Sequence, residues 1–313
     1  MRWKVKARIQ NLVARLPAGL NDRAYYLIQR KVGSLRRVDP TSRLKGAILT
    51  VRYLSEAGRV ADSGTFLEVG TGHQLNFAIG LWLCGASRVV TIDLNRYLKP
   101  SLVWKDIAFV RKNESQVCAL FGELAQRACF QERLAKLLDC PADFDRLLSM
   151  MNVSYLAPAD AGSLNLESQS VDYHVSYTVL EHIPPDDLRQ VLREGARVLV
   201  PDGLFVHFVD LSDHFSQADD SIASINFLRF SAQVWSRYAG NRYMYHNRLR
   251  LDDFQQILSS SGLKIMRVDA VVDRKALQSL RSGFPLDTRF RTISPEINAT
   301  ASAWLVAGRE CSP

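Results

Sequence analysis

The pattern that most constrains the fold lies between residues 64 and 94. An apolar, β-rich run, TFLEV, enters a turn that contains Gly70 and Gly72, and the apolar segment LNFAIGLWLCGA then predicts a buried helix. A second β-rich run, RVVTID, follows and ends at Asp93. Strand, turn, helix and strand in this order form a βαβ unit, in which the two strands lie parallel. The sequence therefore predicts an α/β fold.

The alternation of β-rich and helical segments continues along the chain. Further strands are predicted at 153–160, 171–180, 203–211, 263–272 and 299–308, which gives seven in all. Two or three amphipathic helices are expected in 101–150, and residues 212–250 are predicted to form an irregular, aromatic segment. This order of elements indicates a doubly wound, mostly parallel sheet.

Composition and charge narrow the class of protein. No apolar run approaches the roughly 18 residues that cross a bilayer, and five cysteines without a CxxC pair favour a reduced, cytoplasmic protein. The net charge of +8 is uneven, because residues 1–52 carry +11 and leave −3 for the rest of the chain. A basic arm on a slightly acidic body does not match the footprint of a nucleic-acid-binding protein, so we expect no nucleic acid as a partner.

The basic N-terminal arm has a helical repeat of apolar residues, namely Val5, Ile9, Leu12, Val13 and Leu16. Three interpretations are open: the helix packs on the body, it makes a peripheral contact with an anionic membrane surface, or it contacts an acidic partner. We expect packing, because this interpretation requires nothing beyond the chain itself.

A nucleoside pocket is predicted where the first two strands end. Glycines in the turn allow a ligand to approach the backbone at the positive end of a helix. Asp93 follows the turn by about twenty residues, where an acid can accept hydrogen bonds from both hydroxyls of a ribose. The dinucleotide fingerprint requires a third glycine at position 75, and Leu75 stands there, which disfavours NAD.

Several motifs resemble those of the class I S-adenosylmethionine-dependent methyltransferases. FLEVGTGHQ is similar to the family's first motif, TIDLN to its ribose-binding acid, and APADAG to the acidic stretch beside adenine. VDYHVSYTVLEHIPP matches the fourth-strand motif, and ARVLVPDGLFV resembles the helix, turn and strand that follow. The resemblance implies a Rossmann-like sheet of order 3-2-1-4-5-7-6, with strand seven antiparallel, and S-adenosyl-L-methionine as the cofactor.

We expect the chain to be divided accordingly. Residues 1–60 are predicted to form a basic helical arm that acts as a lid, and residues 61–313 the catalytic domain that binds the cofactor. Within this domain, 101–150 is predicted to be a helical lid insertion and 212–250 an aromatic and arginine-rich insertion.

The resemblance implies cofactor-binding residues at the carboxyl ends of the strands. They are Glu68, Gly70, Gly72, Asp93, Leu94, Asp160, Ala161 and Tyr177. Glu68, Gly70 and Gly72 are expected at the methionyl part, and Asp93 and Leu94 at the ribose. Asp160 and Ala161 are expected at the adenine, and Tyr177 near the sulfonium. One departure concerns His73 and Gln74, which stand where the family often has a bare turn with a further glycine, so binding of the methionyl end is expected to differ.

Three residues are candidates for catalysis. His182 lies at the top of the fourth strand, His214 follows the fifth strand, and Tyr177 lies near the sulfonium. Asp210 and Asp213 flank His214 and are expected to orient or charge it. Because carboxylates spaced this loosely occur by chance, we predict no metal site formed by Asp210, Asp213 and His214.

Residues 212–250 are predicted either to wall an acceptor pocket or to form a self-association surface, which would give a homodimer. The arginines expected to bind a carboxylate or phosphate of the acceptor are Arg229, Arg237, Arg242, Arg248 and Arg250.

The predicted function is methyl transfer to an oxygen or nitrogen atom of a small-molecule or saccharide acceptor, as part of a biosynthetic reaction. Two alternatives are open. One is an enzyme that cyclises or transfers the aminocarboxypropyl arm of the cofactor and releases methylthioadenosine. The other is a cofactor-binding module without catalysis.

Overall fold

The computed structural model describes residues 1–17, 19–31 and 33–310. The predicted arm and catalytic domain also include residues 18, 32 and 311–313, which lie outside these ranges. The strands are β1 Thr65–Val69, β2 Arg88–Ile92, β3 Val153–Leu156, β4 Val171–Tyr177, β5 Leu199–Asp210, β6 Leu263–Val272 and β7 Thr300–Arg309.

The seven strands form one sheet of order β3-β2-β1-β4-β5-β7-β6. The first five strands pair in parallel, and β7 is antiparallel to both of its neighbours. The predicted Rossmann-like topology is therefore confirmed. β4 ends at Tyr177 rather than at residue 180, because Thr178 adopts a left-handed backbone with φ 57° and the chain leaves the sheet there.

Helices cover both faces of the sheet. They are α1 Trp3–Ala14, α2 Leu20–Lys31, α3 Thr41–Glu56, α4 Asn76–Leu83, α5 Pro100–Lys112, α6 Glu114–Phe121, α7 Ala128–Asp139, α8 Phe144–Met151, α9 Pro185–Val198, α10 Ala232–Ala239, α11 Leu251–Ser260, α12 Arg274–Arg281, α13 Thr288–Arg291 and α14 Pro295–Asn298. In the described part of the chain, none of them has the length and apolarity needed to cross a membrane.

Apolar side chains alternate across the sheet and build a core on each face. On β1, Phe66 joins the core that contains α3 to α8, whereas Leu67 and Val69 join the core that contains α9 and α11. Every residue of α4 is buried, as predicted for this segment. The helices of 101–150 thus pack on one face of the sheet.

Helix α3 lies in the predicted arm but is part of the central core. Leu44 and Leu54 are almost fully buried in it. At Gly46 a Cβ atom would stand 2.5 Å from the Tyr177 ring, so glycine is needed for this close approach. Helix α3 is therefore held directly against the end of β4, where a binding site is expected.

Helix α1 packs on the body with a different face from the one predicted. Its buried residues are Trp3, Ala7, Gln10 and Val13. Trp3 packs against rings from the 212–250 segment in a separate aromatic cluster. An indole buries more apolar surface than an aliphatic side chain, so it decides which face turns inward. Apart from Val13, the residues predicted to pack are exposed: Val5, Ile9, Leu12 and Leu16.

Two histidines form a buried pair in the middle of the sheet. His174 Nδ1 on β4 lies 3.1 Å from His207 Nε2 on β5, and His207 Nδ1 lies 2.7 Å from Ser176 Oγ. Burial lowers the pKa of His174 to about 3 and holds that of His207 well below its ordinary value. Both rings are therefore neutral in the folded protein at neutral pH.

This pair predicts an acid-sensitive fold. Both pKa values are lower in the folded state than in the unfolded state, where a histidine has a pKa of about 6.5. The neutral pair therefore makes its full contribution to the free energy of unfolding above about pH 6.5, and this contribution is lost as the pH falls below that value. Between pH 7 and pH 5, each imidazole should remove on the order of 2 kcal/mol from the free energy of unfolding. Denaturant titrations of the wild type and of a His174→Leu/His207→Leu double variant measure this. A shallower pH dependence in the double variant is expected, and equal slopes would contradict the neutral pair.

Candidate active site

The turn between β1 and α4 has a left-handed backbone at Gly70 and Gly72, with φ of 89° and 68°. A Cβ at Gly70 would lie 2.5 Å from Val179, whereas no described atom stands within 4 Å of the Cβ position of Gly72. The amides of Gly70 and Thr71 donate to the Ile92 carbonyl on β2. The turn thus uses these amides to hold itself against β2, rather than offering them to a ligand.

Asp93 follows β2 and binds the same turn. Its two carboxylate oxygens accept hydrogen bonds from the amides of Gly72 and Asn95, each at 3.0 Å. Burial raises the pKa of Asp93, and these two amides act in the opposite direction. A carboxylate has about four acceptor positions, so both oxygens keep the capacity to accept a further hydrogen bond.

A cleft of about 350 Å³ opens beside Asp93 at the carboxyl ends of the central strands. The predicted cofactor-binding residues that line it are Gly70, Asp93, Leu94, Asp160 and Ala161. Residues from the start of α9 line its other side, and no residue of 101–150, all of which are described, lines it. Ligands of open α/β sheets bind at this edge. Five of the eight residues predicted to bind the cofactor therefore lie along one cleft.

Glu68 and Tyr177 lie outside the cleft lining. The Tyr177 ring stacks with Phe77 and Phe208, with ring centroids 5.9 and 4.9 Å apart. Glu68 is buried on β1, its Oε2 atom makes no hydrogen bond within the described residues, and burial raises its pKa to about 7. Their roles in cofactor binding stay predictions.

Arg43 is a site residue that the sequence did not single out. It lies on α3, donates a hydrogen bond to the Tyr177 carbonyl, and places its guanidinium 5.3 Å from the Tyr177 ring centroid. Its charge also acts to lower the pKa of Glu68. The arm therefore contributes a cation where the methionyl end of the cofactor was predicted.

The two side chains that depart from the family pattern bond to neighbouring segments. His73 Nδ1 lies 2.9 Å from the Tyr97 carbonyl oxygen, and Gln74 Nε2 donates to Asp106 on α5 at 2.6 Å. Both are therefore held by the segments that follow β2.

His182, His214 and His246 form an imidazole cluster beside the cleft. Their ring centroids are 5.0 to 6.0 Å apart. His182 belongs to both the cluster and the cleft lining. The sequence pointed to His182 and His214, but His246 comes from a distant loop and carries no motif. The cluster therefore brings two predicted catalytic residues together at one wall of the cleft.

Asp210 orients His214, but Asp213 does not. His214 Nε2 lies 3.3 Å from Asp210 Oδ2, whereas buried Asp213 accepts hydrogen bonds from the Phe215 amide and the Asn226 side chain. Burial acts to raise the pKa of Asp210, but the nearby His214 imidazole and hydrogen bonds from Ser212 outweigh it and lower the pKa to about 2.

The structure corrects the roles expected for two arginines of 212–250. The Arg250 guanidinium is fully buried and donates to backbone carbonyls, among them those of Leu211 and Thr300. Arg248 donates to the carbonyls of Phe227 and Phe230. Both arginines hold loops together and are not available to an acceptor. Phe227 and Phe230 pack with Trp3 in the separate aromatic cluster rather than walling a pocket.

Arg242 is the predicted arginine that does line the cleft. Its guanidinium lies 3.2 Å from the side chains of Asn95 and Tyr97, which follow β2, and 3.2 Å from Asp22 on α2. It therefore joins the N-terminal arm to the loop beside Asp93.

Residues 135–207, from α7 into β5, match the model of a family described as a methyltransferase domain. This part of the chain therefore matches a methyltransferase domain, and the sheet has the strand order that the resemblance to class I methyltransferases implied. The match includes β4, the segment that resembled this family most specifically in the sequence. A search of curated protein sequences finds no significant match to the chain.

Solved structures resemble the fold of this chain at low identity. The [4+2]-cyclase SpnF is 13% identical and has a TM-score of 0.46 over 85% of this chain and 81% of its own. An S-adenosylmethionine-dependent methyltransferase from Mesorhizobium loti is 16% identical, with a TM-score of 0.44 over 82% and 96%. Magnesium protoporphyrin IX methyltransferase from Synechocystis, solved with bound S-adenosylhomocysteine, is 14% identical, with a TM-score of 0.41 over 85% and 83%.

The cofactor of this class is S-adenosylmethionine, in agreement with the prediction from the sequence. Groups at the ends of β1 and β2 are compatible with it. Asp93 presents a carboxylate to the cleft, the space at Gly72 is open, and Glu68 keeps a buried oxygen without a hydrogen bond in the described residues.

An Asp93→Asn variant tests the ribose-binding role. The new amide group would face a backbone N–H and would lose an acceptor for ribose hydroxyls, so we expect the Kd for S-adenosylhomocysteine to rise at least about tenfold. Isothermal titration calorimetry measures the Kd. The matched control is Asp172→Asn, which alters a carboxylate that accepts the Thr65 amide at 2.8 Å at the other end of the sheet. An unchanged Kd in the Asp93 variant would contradict the assignment.

Proposed function

We propose that this chain transfers the methyl group of S-adenosylmethionine to an oxygen or nitrogen atom of a small-molecule or saccharide acceptor. One observation carries the proposal: His182 belongs both to the lining of the nucleoside cleft and to the imidazole cluster. Groups able to bind an acceptor or hold its proton thus lie at the wall of the cleft in which the cofactor is expected.

The cofactor-binding roles follow the positions along the cleft. Asp93 accepts from the ribose hydroxyls, and Asp160 and Ala161 flank the adenine. Glu68 pairs with the cationic amino group of the methionyl end, and Arg43 pairs with its carboxylate. The sulfonium makes the methyl group electrophilic, so the protein needs to align the acceptor, exclude water and receive a proton.

The acceptor is expected on the side of the cleft formed by His182, Asp187 and Arg242. These residues offer an imidazole, a carboxylate and a guanidinium within one concave surface, which suits a polar acceptor with hydroxyl or amino groups. A volume of about 350 Å³ is shared with the nucleoside, which favours a small molecule or one saccharide unit over a folded macromolecule.

The cyclase or aminocarboxypropyl-transfer alternative would draw support from the altered turn at His73 and Gln74 and from lids over the cofactor. His73 and Gln74 bond to Tyr97 and Asp106, and no residue of 101–150 lines the cleft, so neither the turn nor this insertion favours it. Methyl transfer is the function that we put forward.

Identification of the nucleoside product tests the function. The purified protein is incubated with S-adenosylmethionine, with and without a mixture of hydroxylated and amino acceptors, and the products are separated by liquid chromatography and mass spectrometry. We expect S-adenosylhomocysteine only when an acceptor is present. Methylthioadenosine formed from the cofactor alone would contradict methyl transfer, and so would a protein that binds the cofactor but yields neither nucleoside with any acceptor class.

A further inference from the structure

Glu181 has an unusual environment at the end of β4. Its carboxylate is fully buried, and neither oxygen makes an aligned hydrogen bond within the described residues. A buried carboxylate that has lost its water is costly unless a donor or a cation replaces it. One ligand atom each from Glu181, His182 and His214 lies within 4.8 Å of the others. The carboxylate therefore faces two imidazoles and no hydrogen-bond donor that satisfies it.

We propose that Glu181, His182 and His214 bind one divalent transition-metal ion such as Zn²⁺ or Mn²⁺. Two imidazoles and one carboxylate suit these ions and leave coordination positions open for water or substrate. Ligand atoms around a tetrahedral zinc ion stand about 3.3 Å apart. The three ligand atoms thus need to approach one another by roughly 1.5 Å or less when the ion binds.

The surrounding contacts orient both imidazoles for this role. His182 Nδ1 lies 2.8 Å from the Tyr245 carbonyl oxygen, so Nδ1 carries the hydrogen and Nε2 keeps its lone pair. His214 Nε2 lies 3.3 Å from an Asp210 carboxylate oxygen, so we expect the ring to donate to Asp210 when the ion binds and to present Nδ1 to the ion. Metal-binding histidines usually donate their second nitrogen to a carbonyl or a carboxylate in this way.

The third member of the imidazole cluster is not a ligand. His246 Nδ1 accepts the Arg248 amide at 3.0 Å, and Nε2 lies 3.3 Å from the Asp210 carbonyl oxygen. Both nitrogens of His246 are therefore engaged by the backbone. Asp213 is also excluded, because its oxygens bind the Phe215 amide and Asn226.

The position of the site suggests its use. Since His182 lines the cleft, an ion held beside it can coordinate a hydroxyl of the acceptor, and the proton of this hydroxyl then passes to the Asp187 carboxylate in the same lining as the oxygen receives the methyl group. This use rests on the proposed methyl transfer, whereas binding of the ion can be measured without any acceptor. The acceptor class that fits best is a hydroxylated molecule that presents an oxygen to the ion.

Metal binding to the full-length protein tests the proposal. The protein is stripped with a chelator, titrated calorimetrically with ZnCl₂ and with MnCl₂, and its bound metal is counted by mass spectrometry. We expect one ion per chain. Glu181→Gln should lower the affinity by more than about 100-fold, and Asp210→Asn by roughly 10- to 100-fold, because it removes only a partner of a ligand. Asp213→Asn is the matched control and should bind as the wild type does.

The variants are checked by thermal melting, and His182→Gln, at an exposed ligand, repeats the test if Glu181→Gln does not fold. Wild-type binding lost in the ligand variants and kept in Asp213→Asn supports the site. Failure of the wild type to bind either ion, or equal affinity in Glu181→Gln and the wild type, overturns it. One bound ion without methyl transfer to any acceptor would leave the site standing and count against the proposed function.

A second inference concerns the exposed side of α1. Val5, Ile9 and Leu12 lie on one helical face and are 45, 38 and 65% exposed, and Leu16 continues this apolar surface at 42%. Basic residues accompany them at positions 2, 4, 6, 8 and 15, and residues 1–16 contain no acidic side chain. The opposite face is held in place by buried Trp3.

We infer that this face of α1 binds an anionic membrane surface. An exposed apolar stripe on a helix that carries basic side chains and no acidic one is complementary to negatively charged headgroups with apolar tails beneath them. The helix does not need to leave the body, because the stripe and the packed face lie on different sides.

Vesicle co-sedimentation tests this inference with the full-length protein. We expect binding to vesicles of phosphatidylserine and phosphatidylcholine, and little binding to phosphatidylcholine alone. Ile9→Ser/Leu12→Ser should reduce binding about tenfold or more, since it removes two apolar side chains that we expect to be buried in the membrane surface. Val60→Ser, at a residue 66% exposed elsewhere, is the control. Equal binding by the double variant and the wild type overturns the inference, and so does a dimer in solution that the double variant dissociates.

Discussion

The Asp93 carboxylate joins the two halves of the nucleoside cleft, and the site depends on this contact. One oxygen accepts from Gly72 in the turn after β1, and the other accepts from Asn95 in the loop after β2. Because β1 and β2 are parallel neighbours, both segments leave the sheet at the same edge. A carboxylate here both shapes the turn and lines the cleft in which we propose that the nucleoside binds, so the fold and the proposed binding site share one interaction.

The cleft could be predicted from the sequence because its residues follow strand ends directly. Gly70, Asp93 and Asp160 each come within a few residues of a short β-rich run, and a parallel sheet brings such positions together whatever the loops do. The strand order, by contrast, was predicted from the resemblance of the motifs to those of class I methyltransferases. Local pattern and topology were sufficient for this part of the molecule.

The residues that the sequence did not reveal are brought in by long-range packing. Arg43 bonds to Tyr177 across 134 positions of the chain, and no local pattern marks it. Arg250 looked like an anion-binding residue but donates to backbone carbonyls up to 50 positions away. On α1, the apolar repeat gave the helix correctly and the buried face incorrectly, because one tryptophan outweighed four aliphatic side chains. Such outcomes depend on what an element meets, which a single segment does not encode.

A structure of the full-length protein crystallised with S-adenosylhomocysteine tests the central claim most directly. We expect this structure to show the ribose hydroxyls within hydrogen-bond distance of Asp93 and the adenine ring between Asp160 and Ala161. A nucleoside bound elsewhere, for example in the open cavity lined by Asn11, Arg237 and Asn241, would contradict it.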